Sequence, residues 1–325
     1  MEINMNNTDF AQLCHYTSVE AFEKMLRKMS SDNSRELTFW ASNIHYMNDP
    51  NEMSFLYDEL IEALPEIESL LDIKEMPFSM FCSLGKNQGT VSIDLFKDIK
   101  DNVFKKIFKS AFAISFTKKK DYLPMWSLYG NNGSGLCLEF DYEALKKHFS
   151  ESESLSFATR FEELHYYIKE VSIWAKIAAF YKLYHDKLSL NDDNKDPLRQ
   201  CRDFIARVLL EMAPILKHQS YAYEKEVRLL YHVILPGDAD EIVSKADVRP
   251  MDKKYPKVEN PKVRVRNGML IPYKEISIPI DCIKKIIVGP TLYPQLQSEA
   301  LDVLLKEVGI EGIKVEMSKV PYRQI

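Results

Sequence analysis

The chain has 325 residues, 46% of them hydrophobic and 28% charged. That length supports a sizeable core, in one large domain or in one domain carrying an insertion. A formal net charge of −5 argues against a general nucleic-acid coat, while a local basic groove stays compatible with it. Residues 1–7 carry neither a basic nor an apolar leader pattern, so no signal peptide is expected. No run approaches the roughly 18 apolar residues of a membrane span, and no membrane partner is expected. Cys14, Cys82, Cys137, Cys201 and Cys282 are scattered with no C-x-x-C pair. That pattern suits a reduced, cytoplasmic chain of bacterial type with mostly buried thiols.

Residues 13–18 read as a short strand running into a helix start, with Ser18 as N-cap. Residues 19–29 carry apolar side chains at helical spacing. After a polar loop at 30–35 comes a second strand at 37–42, then the turn Asn48-Asp49-Pro50-Asn51 and an amphipathic helix over 52–71. Pro65 marks a break or a new first turn in that helix. A strand over 78–84, a helix over 95–109 and a strand over 112–117 are expected.

Pro124 at a first helical turn, with Trp126 and Tyr129 three apart, predicts a short helical turn presenting two aromatics together. Residues 130–135 (Gly-Asn-Asn-Gly-Ser-Gly) superficially resemble a phosphate loop. They lack the Lys-Ser/Thr pair and no helix follows, so a turn before the strand 136–140 is expected.

Residues 143–218 read as mostly helical (171–188 and 197–217), with a strand around 164–168. Flanked by sheet on both sides, this block is expected to be a helical insertion or cap. The chain would then be one α+β domain whose halves are 1–142 and 219–325. A long polar excursion at 236–262, strands at 269–273 and 283–290, a helix at 295–308 and a closing strand at 314–318 complete the chain. No βαβ alternation and no Rossmann fingerprint occurs.

The stretch 221–230 reads as a strand entered from a helix. Alternation puts Glu224, Glu226 and Arg228 on one face, with Tyr223, Val227, Leu229 and Tyr231 on the core face. Lys225 is the misfit, expected to snorkel outward. Two carboxylates and a guanidinium on one face make either a solvated ion-pair ladder or a site.

The seven histidines form no H-E-x-x-H or paired ligand spacing, so no metal is expected. There is no G-x-S-x-G elbow, and Cys14 beside His15 would point to the opposite side of a strand. His15 at a strand end is either a satisfied structural histidine or a ligand contact. Trp126 and Tyr129 are either core aromatics or a wall for a flat ring.

Taken in order, five motifs form a set: His15-Tyr16-Thr17-Ser18, Asn48-Asp49-Pro50, Ile114-Ser115-Phe116-Thr117 with Met125-Trp126-x-x-Tyr129, Tyr223-Glu224-x-Glu226-x-Arg228, and Ser318-x-x-Pro321-Tyr322-Arg323. Together, over nearly the whole chain, they resemble the bacterial family catalogued as domain of unknown function 2971. At a second level, Leu13-x-His15-x-Thr17-Ser18 is similar to the first-strand motif of ADP-ribosyltransferases of the His-Tyr-Glu type, with Tyr16 where those enzymes have Gly. Ser115-Phe116-Thr117 is similar to the Ser-Thr-Ser strand of the Arg-Ser-Glu type, and Glu224-Lys225-Glu226 resembles their late Glu-x-Glu pair.

That resemblance implies a mixed or antiparallel split sheet with a largely helical insertion, and NAD as substrate. It implies Glu226 as the catalytic carboxylate and Glu224 as the group that orients or deprotonates an acceptor. His15, Tyr16, Thr17 and Ser115 would contact the dinucleotide, Arg228 would hold a diphosphate or fix the carboxylates, and Trp126 and Tyr129 would stack on a ring. The acceptor would be a protein or nucleic acid, or water, and the chain a toxin or anti-phage effector with an antitoxin or defence-system partner. Two other readings compete. One is a non-catalytic nucleotide- or partner-binding module of a defence system. The other is a metal-dependent nuclease that would need a third carboxylate such as Asp49.

Overall fold

The computed structural model describes residues 12–47, 52–80, 82, 111–152, 159–189, 197–232, 260–266 and 268–322. β1 (Leu13–Thr17) runs into α1 (Val19–Ser31), where the Ser18 hydroxyl accepts from the Ala21 N–H at 3.1 Å, the N-cap that the sequence predicts. β2 (Glu36–Asn43) and α2 (Glu52–Leu70) follow. α2 continues through Pro65 instead of breaking there, held by the burial of Leu60, Leu64 and Ile67. Tertiary packing outweighs the hydrogen bond that proline cannot make. Phe78–Met80 is a helical turn, not the expected strand, and Phe78 packs on Tyr181 at 4.8 Å between ring centroids.

β3 (Ala111–Thr117), α3 (Leu123–Leu128), β4 (Leu136–Phe140) and α4 (Tyr142–Glu151) come next. The strand of the helical block lies at β5 (Thr159–Glu163), a few residues before its expected place. α5 (Val171–Ser189) and α6 (Pro197–Met212) follow. α6 stops before residue 217 because Pro214 cannot extend the ladder, and 213–215 forms a 3-10 turn. β6 (Glu226–His232), β7 (Lys262–Arg266), β8 (Met269–Pro279), β9 (Ile283–Val288), α7 (Pro294–Glu307) and β10 (Lys314–Met317) complete the order.

The described strands form one ten-stranded sheet, in the order β10-β9-β4-β1-β3-β2-β8-β7, with β6 on β3 and β5 on β6. β10 and β9 are parallel and the other pairs antiparallel, so the sheet is mixed and the class is α+β. Helices cover both faces. One face packs Leu13, Phe39, Phe116, Val227 and Ile276 with α1, α4 and α7; the other packs Ala113 and Leu230 with α2, α5 and α6. Among the described residues no helix is long and apolar enough to cross a membrane.

One irregularity decides where a site can form. β6 takes one edge of β3 along its length, Ala111 opposite His232 through Thr117 opposite Glu226. The other edge of β3 is divided. β1 pairs there only through Cys14 opposite Thr117, and β2 only through Ser42 opposite Ala113 and Asn43 opposite Phe112. β1 and β2 therefore splay apart at Ser115, and the sheet opens.

The turn at Asn48–Asn51, the expected helix over 95–109, the loop 191–194, the excursion at 236–259 and Arg323 lie outside the described residues.

Candidate functional site

Ser115 sits at the opening and faces two ways. Its carbonyl accepts from His15 Nδ1 at 2.9 Å, and its hydroxyl donates to Glu226 Oε1 at 2.6 Å. A carbonyl can only accept, so His15 carries its proton on Nδ1 and leaves Nε2 as an acceptor. Burial pushes the His15 pKa below its ordinary value, partly offset by the Ser115 carbonyl, which keeps the ring neutral at pH 7. His15 also sits edge-on to Phe39 and Phe116, at 5.4 and 5.9 Å. Cys14 points to the opposite face, into a cluster with Tyr16 and Trp126.

The expected strand over 221–230 starts only at Glu226. Residues 219–224 form a 3-10 turn, and Lys225 takes a left-handed conformation with φ 44°. This turn of the backbone removes the Lys225 misfit: the side chain is exposed while Glu224 and Glu226 are both buried. The solvated ladder is therefore replaced by an enclosed charge cluster.

Lys217 Nζ lies 2.6 Å from Glu224 Oε2 and 2.9 Å from Glu226 Oε2, and Arg228 Nε lies 2.8 Å from Glu226 Oε1. Glu224 Oε1 accepts from the Tyr129 hydroxyl at 2.7 Å, and the Glu226 N–H donates to the Tyr166 hydroxyl at 3.1 Å. Among the described residues the cluster sets two carboxylates against two cations, a balance that lowers the cost of burying four charges together. Burial alone would raise the Glu226 pKa, but Arg228 and Lys217 overcome it and hold the carboxyl down to about 2. Burial pushes the Tyr129 phenol well up, and the Glu224 carboxylate beside it adds to this.

Around the opening lies a cavity of about 910 Å³, lined by His15, Tyr16, Thr17, Ser115, Tyr129, Lys217, Glu224 and Glu226 among others. Its size suits a nucleotide-scale ligand. Two residues expected to contact a ligand sit elsewhere. Trp126 is fully buried, 4.8 Å edge-on beneath Tyr16, with Nε1 donating to Asp121 Oδ1 at 2.8 Å. Both aromatics pack in the cluster around Tyr16, but only Tyr129 lines the cavity, so they do not form one aromatic wall there. Arg228 is also fully buried and donates from Nη1 to the Pro214 carbonyl at 2.9 Å. It fixes Glu226 and does not reach the cavity to hold a diphosphate.

Lys217 was invisible to sequence reasoning, because a lone lysine after Ile215-Leu216 resembles the end of a helix. Its backbone bridges to His165 instead, the His165 N–H donating to the Ile215 carbonyl at 2.8 Å and the Lys217 N–H to the His165 carbonyl at 3.0 Å. Asp121 was missed too. It accepts from the Ser318 hydroxyl and, at 2.8 Å, from the Lys319 N–H, tying the segment after β10 to α3. Among the described residues no group of three or more His, Cys, Asp or Glu is placed to hold a metal ion. Asp49 lies outside them.

No curated protein and no solved structure matches this chain. One family does match, over residues 125–229, a segment that runs from α3 into β6 and carries Tyr129, Lys217, Glu224, Glu226 and Arg228 but not His15 or Ser115. The matched family is described as Protein of unknown function (DUF2971).

Proposed function

We propose that the cavity binds NAD and that the chain acts on it as an ADP-ribosyltransferase-like enzyme, transferring ADP-ribose to a protein or nucleic-acid acceptor or hydrolysing NAD. One observation carries this reading: His15, Tyr129, Glu224 and Glu226 line a single cavity at the point where the sheet splits, with Ser115 linking His15 to Glu226. Cleaving the nicotinamide–ribose bond leaves positive charge on the ribose carbon, and a fixed carboxylate facing that carbon lowers the barrier. Glu226 is that carboxylate. Its depressed pKa keeps it ionised at every physiological pH.

A ribose hydroxyl reaches Glu226 Oε2 by taking the place of the Lys217 ammonium, which keeps its contact with Glu224. Neutral His15 offers Nε2 as an acceptor to a ribose hydroxyl or to the carboxamide N–H. Glu224 orients the attacking acceptor, whose proton it receives as the nicotinamide departs with the bonding pair. A protein or nucleic-acid acceptor, an antitoxin and a role in anti-phage defence all belong to this proposal.

The test is release of free nicotinamide from NAD by the pure protein. Glu226→Gln is expected to lower it by about 10²–10³-fold, the usual cost of removing one preorganised group. An unchanged rate in the folded variant ends the reading.

One observation favours a second reading, a non-catalytic nucleotide-binding module. Both oxygens of Glu226 are engaged, by Ser115, Lys217 and Arg228. Tight nucleotide binding without turnover is the result that would select it.

A further inference from the structure

The basic strand β7 borders the cavity, and its charge has no assigned use. Lys262, Arg264 and Arg266 alternate along it and so share a face. Val263 and Val265 point the other way and are exposed. Among the described residues β7 pairs with β8 alone, and basic side chains on an edge strand often serve simply to block pairing with another chain. Lys262 fits that role, since it lies 2.8 Å from Glu275, the carboxylate that Lys28 also approaches at 3.4 Å.

Arg264 and Arg266 do not fit it. Both line the cavity that holds Glu226, and neither forms an ion pair with a carboxylate among the described residues. Arg264 is half-buried. Its Nη2 donates to the Ser42 hydroxyl at 2.7 Å, and its guanidinium carbon lies 5.2 Å from the centre of the Trp40 ring. Its Nε is buried with no hydrogen-bond partner among the described residues. Burial, and then the nearby Arg266, lower the Arg264 pKa. Trp40 itself is 46% exposed and leans on Tyr273 at 4.8 Å. The registers of β2 with β3 and β8, and of β8 with β7, place Ser42, Trp40, Arg264 and Arg266 on the same face of the sheet as Ser115 and Glu226.

Two cations on one strand face, neither ion-paired to a carboxylate among the described residues, with Arg264 over a half-exposed indole and both lining a nucleotide-sized cavity, are the complement of a phosphorylated ligand. Resting on the dinucleotide reading above, we infer that Arg264 and Arg266 form the subsite for the ligand's diphosphate, with Trp40 as the flat wall beside it. The phosphate oxygens accept from the free N–H groups of both guanidinium forks. Arg264 keeps its contact with Ser42, which fixes the plane of its fork. The task first expected of Arg228 thus falls to a different strand.

Calorimetric titration of the full chain with ADP and with adenosine tests this, using wild type and the double variant Arg264→Gln, Arg266→Gln. Both substitutions lie on an edge strand, and circular dichroism checks that the fold is kept. Wild type is expected to bind ADP more tightly than adenosine, and the double variant to lose about tenfold or more of its ADP affinity while adenosine affinity stays the same. ADP affinity unchanged by the double variant overturns the inference. So does the absence of ADP binding to wild type, including the case where a short oligonucleotide binds through these arginines instead. The two readings fail separately. Arginine-dependent ADP binding without nicotinamide release keeps the subsite and removes the catalysis. Nicotinamide release with the KM for NAD unchanged in the double variant does the reverse.

Discussion

Ser115 Oγ donates to Glu226 Oε1 at 2.6 Å across neighbouring strands. The bond exists because β3 and β6 are antiparallel with Ser115 opposite Arg228, which turns Ser115, Glu226 and Arg228 to one face. Ser115→Ala removes a donor from a buried carboxylate. It is expected to destabilise the protein by about 1–3 kcal/mol, read as a lower urea midpoint with unchanged slope.

Lys217 is the shared cation of Glu224 and Glu226. Lys217→Met removes the ammonium that contacts both buried carboxylates. Breaking a buried pair in this way costs about 3–5 kcal/mol. A fully folded Lys217→Met variant with wild-type stability would show that the ammonium is not needed to neutralise the cluster.

The pH dependence has a definite sign. Glu226 is held below its ordinary carboxyl range in the fold, at about 2 against 4.5, so the unfolded chain binds its proton first. Its contribution is complete above pH 4.5 and is lost as pH falls from there towards 2, on the order of 3 kcal/mol in all. Glu226→Gln should flatten that part of the stability profile relative to wild type. Parallel wild-type and variant profiles between pH 4.5 and 2 would contradict the assignment.

His15 is lowered by burial, so its stabilising effect is present above its unfolded pKa of about 6.5 and declines as pH falls below it. Nitrogen-15 spectra of the imidazole should show a neutral ring at pH 7 with the proton on Nδ1, matching its bond to the Ser115 carbonyl. A proton on Nε2 at that pH would remove the acceptor offered to the cavity.

Gly135 allows the turn before β4 to pass under the end of β1. A Cβ there would lie 2.3 Å from the Thr17 carbonyl oxygen and 2.8 Å from that of Gly130, both backbone atoms. Gly135→Ala is expected to cost about 1–3 kcal/mol through forced backbone shifts, seen as a lower thermal midpoint. Gly268, with nothing among the described residues within 4 Å of its Cβ position, is the open comparison site, and the cost expected there comes from its positive φ.

Local patterns made much of this legible in the sequence. Alternation and helical spacing identified β1, α1, β2, β3, β4, β9 and α7, because each buries a face whose period the side chains must follow. The same alternation brought out Glu226 and Arg228 as companions on one face. It misjudged Glu224, which reaches that cluster from a 3-10 turn through a left-handed Lys225, a backbone reversal that residue types alone do not announce. Pro65 reads from the sequence as a break or a new first turn, because local propensity cannot weigh the core that α2 packs against.

Tertiary structure decided the rest. The residue types pointed to an α+β class and to two carboxylates and a guanidinium on one face, but they placed His15 at a strand end, whereas it is the middle residue of β1. Whether the charges meet solvent or one another depends on Lys217, brought in by a bridge between residues 165 and 216. Whether a cavity exists depends on β1 and β2 sharing one edge of β3. Both are pairings between distant segments, and such pairings form where backbone hydrogen bonds and burial are best satisfied over the whole chain. No local stretch carries that sum.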